Sequence, residues 1–122
     1  MKAKQFIKLA IFVCPFLFTA ISCSKSSGSG SGSPTVPTTA DIGIAGMAFS
    51  PASKTVAKGT IVKWTNNDAT THTVTSNDGI TFNSGSISGS SSYSYTANTA
   101  GTFNYHCTIH GVGMAGTLIV NP

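Results

Sequence analysis

The chain has 122 residues, with seven Lys or Arg against three Asp or Glu and a formal charge of +4. Charged residues make up 8% of it and hydrophobic ones 40%. The length gives room for one modest core, and the few scattered Lys do not form the basic stripe that nucleic-acid binding requires.

Lys2, Lys4 and Lys8 stand at the start of an apolar run over residues 7–21, broken at Pro15. A positive start, a short apolar run and then small residues form an export signal. The run is too short and interrupted for a stable spanning helix. Ala20-Ile21-Ser22-Cys23 resembles a bacterial lipobox, with Ala20 where Leu is usual; in that motif the Cys is lipidated and becomes the mature first residue. Residues 1–22 are thus expected to be a lipoprotein-type signal and Cys23 the lipidation site, the alternative being an ordinary secretory signal that happens to contain a Cys. Residues 23–39, rich in Ser and Gly and then in Pro and Thr, read as a flexible tether. The expected location is the periplasm or cell envelope of a bacterium, with the membrane reached by the lipid alone.

Processing changes the charge and the thiol inventory. Three of the seven Lys leave with the signal; Lys25, Lys54, Lys58 and Lys63 then face Asp41, Asp68 and Asp78, a net +1 with no Arg. Cys14 leaves as well and Cys23 is acylated, so Cys107 remains as a lone thiol in an exported domain that has no disulfide framework. Ligation to a metal would keep that thiol from oxidising.

Residues 40–122 read as one small domain of short Val-, Ile-, Thr-, Tyr- and Phe-rich runs divided by Gly, Asn, Asp and Ser. Ile42 and Ile44 open a strand that Met47 and Phe49 continue with shifted parity, which predicts a bulge at Gly46 and a core position for Met47. A short strand at 54–56 turns at Lys58-Gly59 into 61–65, with Val62 and Trp64 inward and Lys63 outward. Asn66-Asn67-Asp68 is a turn, residues 71–75 a strand carrying His72, and Thr81-Phe82 a weaker one. Further strands are predicted at 91–96, 102–107 and 116–120, the middle one with Phe103, Tyr105 and Cys107 inward and His106 outward. This spacing implies an all-β, antiparallel Greek-key β-sandwich of seven or eight strands.

Cys107 ends its strand facing inward, His110 lies three residues on, and Met114 begins the return to the last strand. One tight loop can therefore aim a thiolate, an imidazole and a thioether at one point, with His72 supplied by another strand. Two His, one Cys and a weak axial Met are the donor set of a blue-copper site: the sulfur ligands favour Cu(I), and imidazole suits Cu(II).

The domain is similar to the small plastocyanin-like cupredoxins, the type 1 copper proteins. The matching segments are Met47-Ala48-Phe49-Ser50-Pro51, Val56-Ala57-Lys58-Gly59, Val62-Lys63-Trp64-Thr65-Asn66-Asn67-Asp68, His72-Thr73-Val74, Ala100-Gly101-Thr102-Phe103-Asn104-Tyr105-His106-Cys107-Thr108-Ile109-His110 and Gly116-Thr117-Leu118-Ile119-Val120. The resemblance implies one type 1 copper ion held by His72, Cys107 and His110, with Met114 axial, in a monomeric single-electron carrier. Gly111-Val112-Gly113 makes the His-to-Met interval one residue longer than the common form. His106 stands where many plastocyanins carry a Tyr used as a remote electron port. The resemblance also implies that redox proteins, donor and acceptor, dock on the apolar surroundings of His110.

Three other functions compete with that reading. Copper storage or delivery would favour exposed Met- and His-rich ligands, and the chain has one compact mixed set. Copper enzymes need further His-rich centres, while the mature domain offers only His72, His106 and His110. Two imidazoles and a thiolate could also hold a structural zinc ion.

Overall fold

The computed structural model describes residues 36–122. The expected signal, Cys23 and most of the tether lie outside the described residues. Eight strands follow: β1 (Thr39–Ala45), β2 (Ala48–Ser50), β3 (Ser53–Ala57), β4 (Ile61–Asn66), β5 (Thr75–Ser76), β6 (Ser92–Thr96), β7 (Gly101–Cys107) and β8 (Gly111–Asn121). They form two four-stranded sheets, β2-β1-β4-β6 and β3-β8-β7-β5, the two layers of an all-β sandwich.

Period-two alternation sends Ile42, Ile44, Val62, Trp64, Tyr105, Cys107, Leu118 and Val120 into the space between the sheets. Trp64 is its centre, with its ring 5.6 Å from those of Phe82 and Tyr105 and 5.9 Å from that of Tyr93. A buried aromatic side chain withdraws roughly 150–250 Å² from water, worth about 4–6 kcal/mol at ~25 cal/mol/Å². Burying Trp64 and Tyr105 therefore pins β4 to β7 across the sandwich. Tyr105 lies on bare backbone: a Cβ on Gly116 would fall 2.5 Å from its hydroxyl.

Several local expectations are corrected. The predicted bulge is a two-residue hairpin turn between β1 and β2, in which Gly46 (φ 58°) and Met47 (φ 60°) are both left-handed. Such a turn matches the twist of the strands it joins. It turns Met47 outward, 56% exposed, so Met47 is not a core residue. Residues 71–75 are not a regular strand: His72 makes a single bridge to Ile87, and only Thr75–Ser76 pairs with β7. Thr81-Phe82 is no strand either; the chain there wraps around Asp78, and Phe82 is buried. Asn66 belongs to β4 and is fully buried, its amide donating to the Thr70 and Ile87 carbonyls. Most pairings are antiparallel, but β1 runs parallel to β4 and β3 parallel to β8.

These pairings give the domain two poles. At one, Thr39 pairs with Ile61, Gly101 with Val120, and the Lys58 amide donates to the Asn121 carbonyl. At the other, the ends of β1, β4 and β7 meet the start of β8, and the ligand residues collect there.

Candidate metal centre

Cys107 is the last residue of β7 and is fully buried, as alternation requires. It pairs with Gly111, whereas the preceding His106 pairs with Ala115. The chain therefore turns back through Thr108, Ile109 and His110 alone, and Val112, Gly113 and Met114 are extra residues in β8 opposite that register shift. Gly111 (φ 72°) closes the turn in the left-handed region, where a Cβ is disfavoured. Met114 points inward and is 2% exposed. His110 is half-buried, flanked by the exposed apolar side chains of Ile109 and Val112 (87% exposed).

His72 arrives from the irregular segment after β4. Its amide and carbonyl exchange hydrogen bonds of 3.1 and 2.8 Å with Ile87, which fix the backbone although no strand runs through it. The imidazole is fully buried, with Nε2 3.0 Å from Asp68 Oδ2. Two further contacts staple this segment to the β7–β8 turn. The Thr108 amide donates to Thr73 Oγ1 at 2.7 Å, and the two Thr hydroxyls lie 2.9 Å apart.

The three donors converge. Cys107 Sγ is 3.9 Å from His72 Nδ1 and 3.4 Å from His110 Nδ1, and one ligand atom from each residue lies within 4.8 Å of the others. With metal–ligand bonds of about 2.0–2.3 Å, donors at trigonal angles around one ion stand about 3.5–3.7 Å apart, so the spacing fits a single ion. The Thr73 amide also donates to Cys107 Sγ at 3.4 Å. Burial pushes the Cys107 thiol up; the Thr73 amide, with the facing His72 and His110, outweighs it and brings the thiol down to about 6. A ready thiolate is the form a metal binds.

All four expected ligands, His72, Cys107, His110 and Met114, thus lie at one pole. His106 does not join them: it faces away on β7, with Nδ1 2.8 Å from Asn77 Oδ1, and clamps the segment after β5. Nothing in the sequence signals the contact between Asp68 and His72, because Asp68 falls in the turn-forming run Asn66-Asn67-Asp68. Its four-residue spacing from His72 has no periodic meaning outside a helix, and only the observed loop brings the two together. The Gly46 amide above all, with Met47 and His72, holds its carboxyl below the usual carboxylate range.

A β-sandwich presenting Cys from the end of one strand, His from the turn after it, Met from the next strand and a second His from a neighbouring segment defines a cupredoxin with a type 1 copper centre. The sequence profile of the copper binding proteins of the plastocyanin/azurin family matches residues 35–121. Solved structures agree. An oxidised methionine-to-leucine mutant of amicyanin shares 29% identity over 66% of this chain and 80% of its own, at a TM-score of 0.62. A reduced tryptophan-to-tyrosine mutant of amicyanin shares 29% over 68% and 82%, at 0.64. The Cu(I) form of a methionine-to-alanine mutant of amicyanin shares 30% over 66% and 80%, at 0.62. Comparison with curated proteins returned no match. The chain belongs to the plastocyanin/azurin family of copper-binding proteins. Its copper site is one mononuclear centre of His72, Cys107, His110 and Met114, and it is an electron-carrier domain rather than an enzyme.

Proposed function

We propose that this domain shuttles single electrons between redox proteins that dock on the pole around His110. Copper held here supplies the Cu(II)/Cu(I) couple. The protein's part is to keep the donors still. His72 is fixed through Ile87 and Asp68, Cys107 through β7 and the Thr73 amide, and the two loops are joined through Thr73 and Thr108. A cage that moves little between oxidation states keeps the reorganisation cost of transfer low. Burial of His72, Cys107 and Met114 argues against ready metal release, and hence against storage or delivery.

The observation that carries the docking assignment is the half-buried His110 ring set among Ile109, Gly111, Val112 and Gly113, with no charged residue in that turn. An uncharged rim of this kind recognises partners by apolar contact. Stopped-flow electron exchange with a redox partner is expected to slow markedly in Val112→Asp while the copper spectrum stays unchanged. An unaltered rate would contradict the assignment.

Location is part of the same proposal: a protein exported to the cell envelope and held by a lipid on Cys23. The lipobox-like motif and the Ser- and Gly-rich composition of residues 23–39 support it. Val36, Pro37 and Thr38 lie by Ala57, Lys58 and Thr60 at the pole remote from the metal. Fatty-acid labelling of the full chain is expected in the wild type and should vanish in Cys23→Ala; labelling that persists would refute the anchor.

A further inference from the structure

We propose that Asp68 is a positioning residue that ties the exposed Gly46–Met47 turn to the copper ligand His72, so that the conformation of this turn sets how the imidazole is presented to the metal. The inference rests on the copper reading above and assigns new roles to a carboxylate and a turn outside the ligand set. Asp68 Oδ1 accepts from the Gly46 amide at 2.9 Å. Oδ2 accepts from the Met47 amide at 3.4 Å and faces His72 Nε2 at 3.0 Å. An ionised carboxylate only accepts, so Nε2 carries the proton and Nδ1, the nitrogen facing Cys107 Sγ, keeps its lone pair for copper. The other tautomer would put a hydrogen where the metal must bind.

The turn is costly to hold. Met47 at φ 60° is a non-glycine residue in left-handed backbone, a conformation that the Cβ of an L-residue disfavours. Its side chain is 56% exposed, so little burial offsets that cost. What does favour the conformation is the convergence of two successive amides on one carboxylate. Asp68 in turn sits in the same frame as the ligand. Its amide donates to Asn66 Oδ1 at 2.9 Å, the Asn66 side chain donates to the Ile87 carbonyl at 2.9 Å, and Ile87 holds the His72 backbone. A Cβ on Gly89 would lie 2.7 Å from the Asp68 carbonyl, so this backbone is packed closely from that side as well. With the ligand's backbone and the carboxylate's backbone both fixed, the free variable is the Asp68 side chain, and the turn amides set it.

A carboxylate accepting from the remote nitrogen makes an imidazole a more basic ligand and favours Cu(II) over Cu(I). Two variants separate the links of this chain. Asp68→Asn keeps an acceptor for Gly46 but offers an NH2 group where Nε2–H or the Met47 amide needs an oxygen. Met47→Pro removes an amide donor, forbids the positive φ and touches no ligand. The measurements are the His72 tautomer by imidazole nitrogen NMR on the metal-free protein, Cu(II) affinity by competition with a chelator, and the reduction potential. For Asp68→Asn we expect loss of the single Nε2–H tautomer, an affinity lower by roughly 10–100-fold, and an upward shift in potential. Met47→Pro is expected to shift affinity and potential in the same directions by less. An Asp68→Asn protein with tautomer, affinity and potential unchanged overturns the inference, and so does a folded Met47→Pro protein identical to wild type in affinity and potential. Failure here is distinct from failure of the copper reading: a wild type that turns blue with Cu(II) sustains the latter whatever the variants do.

Discussion

Asp78 accepts from the Ser76 and Thr81 hydroxyls and from the Ile80 and Thr81 amides. These bonds, foremost the one from Ser76, hold its carboxyl well below the usual carboxylate range. A carboxyl depressed in the folded state stabilises it at pH values above its unfolded value of about 3.9, and the contribution is lost as pH falls below that. Asp78→Ala should therefore melt at a lower temperature than wild type at pH 7, with the gap closing as pH drops below about 4. Melting followed by circular dichroism from pH 7 to 2.5 checks this; a gap that stays constant would show that charge has no part in it. The residue scale is also where the sequence was most and least informative. Cys107, His110, Met114 and His72 were legible because their chemistry is distinctive and three of them share a loop. Asp68 and Asn66 were not, because polar residues between strands look alike until the loop shows which amides they face.

At the scale of elements, alternation located β4, β6, β7 and the second half of β8, since each has one face on the core and one toward solvent. It failed where the backbone is held by other means. The segment carrying His72 is fixed by two isolated bridges, His72 to Ile87 and Thr75 to Asn83, and by Asn66 and Ser84 side chains, and the 77–82 loop by Asp78. Neither leaves a period-two trace. The shift of parity between Ile44 and Phe49 was real, but parity alone cannot tell a bulge from a tight hairpin. Two left-handed residues decided for the hairpin and exposed Met47. Alternation also says nothing about partners, so the parallel pairings β1–β4 and β3–β8 were invisible to it. The His-to-Met interval, by contrast, was visible in the sequence as one residue longer than the common form, while the three extra residues Val112, Gly113 and Met114 show only in the pairing. They sit in the register shift opposite Cys107, so the sheet absorbs the length and Met114 still turns inward.

Across the described domain, the two poles divide the work: the described chain begins at one, beside Lys58 and Thr60, and the copper ligands and the apolar rim of His110 lie at the other. The sandwich between them holds Cys107 on a strand pinned by Tyr105 and Trp64, so the thiolate is placed by the core itself. The visible spectrum reports whether these residues form one type 1 copper centre. Adding Cu(II) to the purified metal-free protein should produce an intense blue thiolate-to-copper band that saturates at one ion per chain. A reductant should bleach the band, reoxidation should restore it, and Cys107→Ser should abolish it. A copper-loaded protein that stays colourless, or a Cys107→Ser variant that is equally blue, would contradict the account.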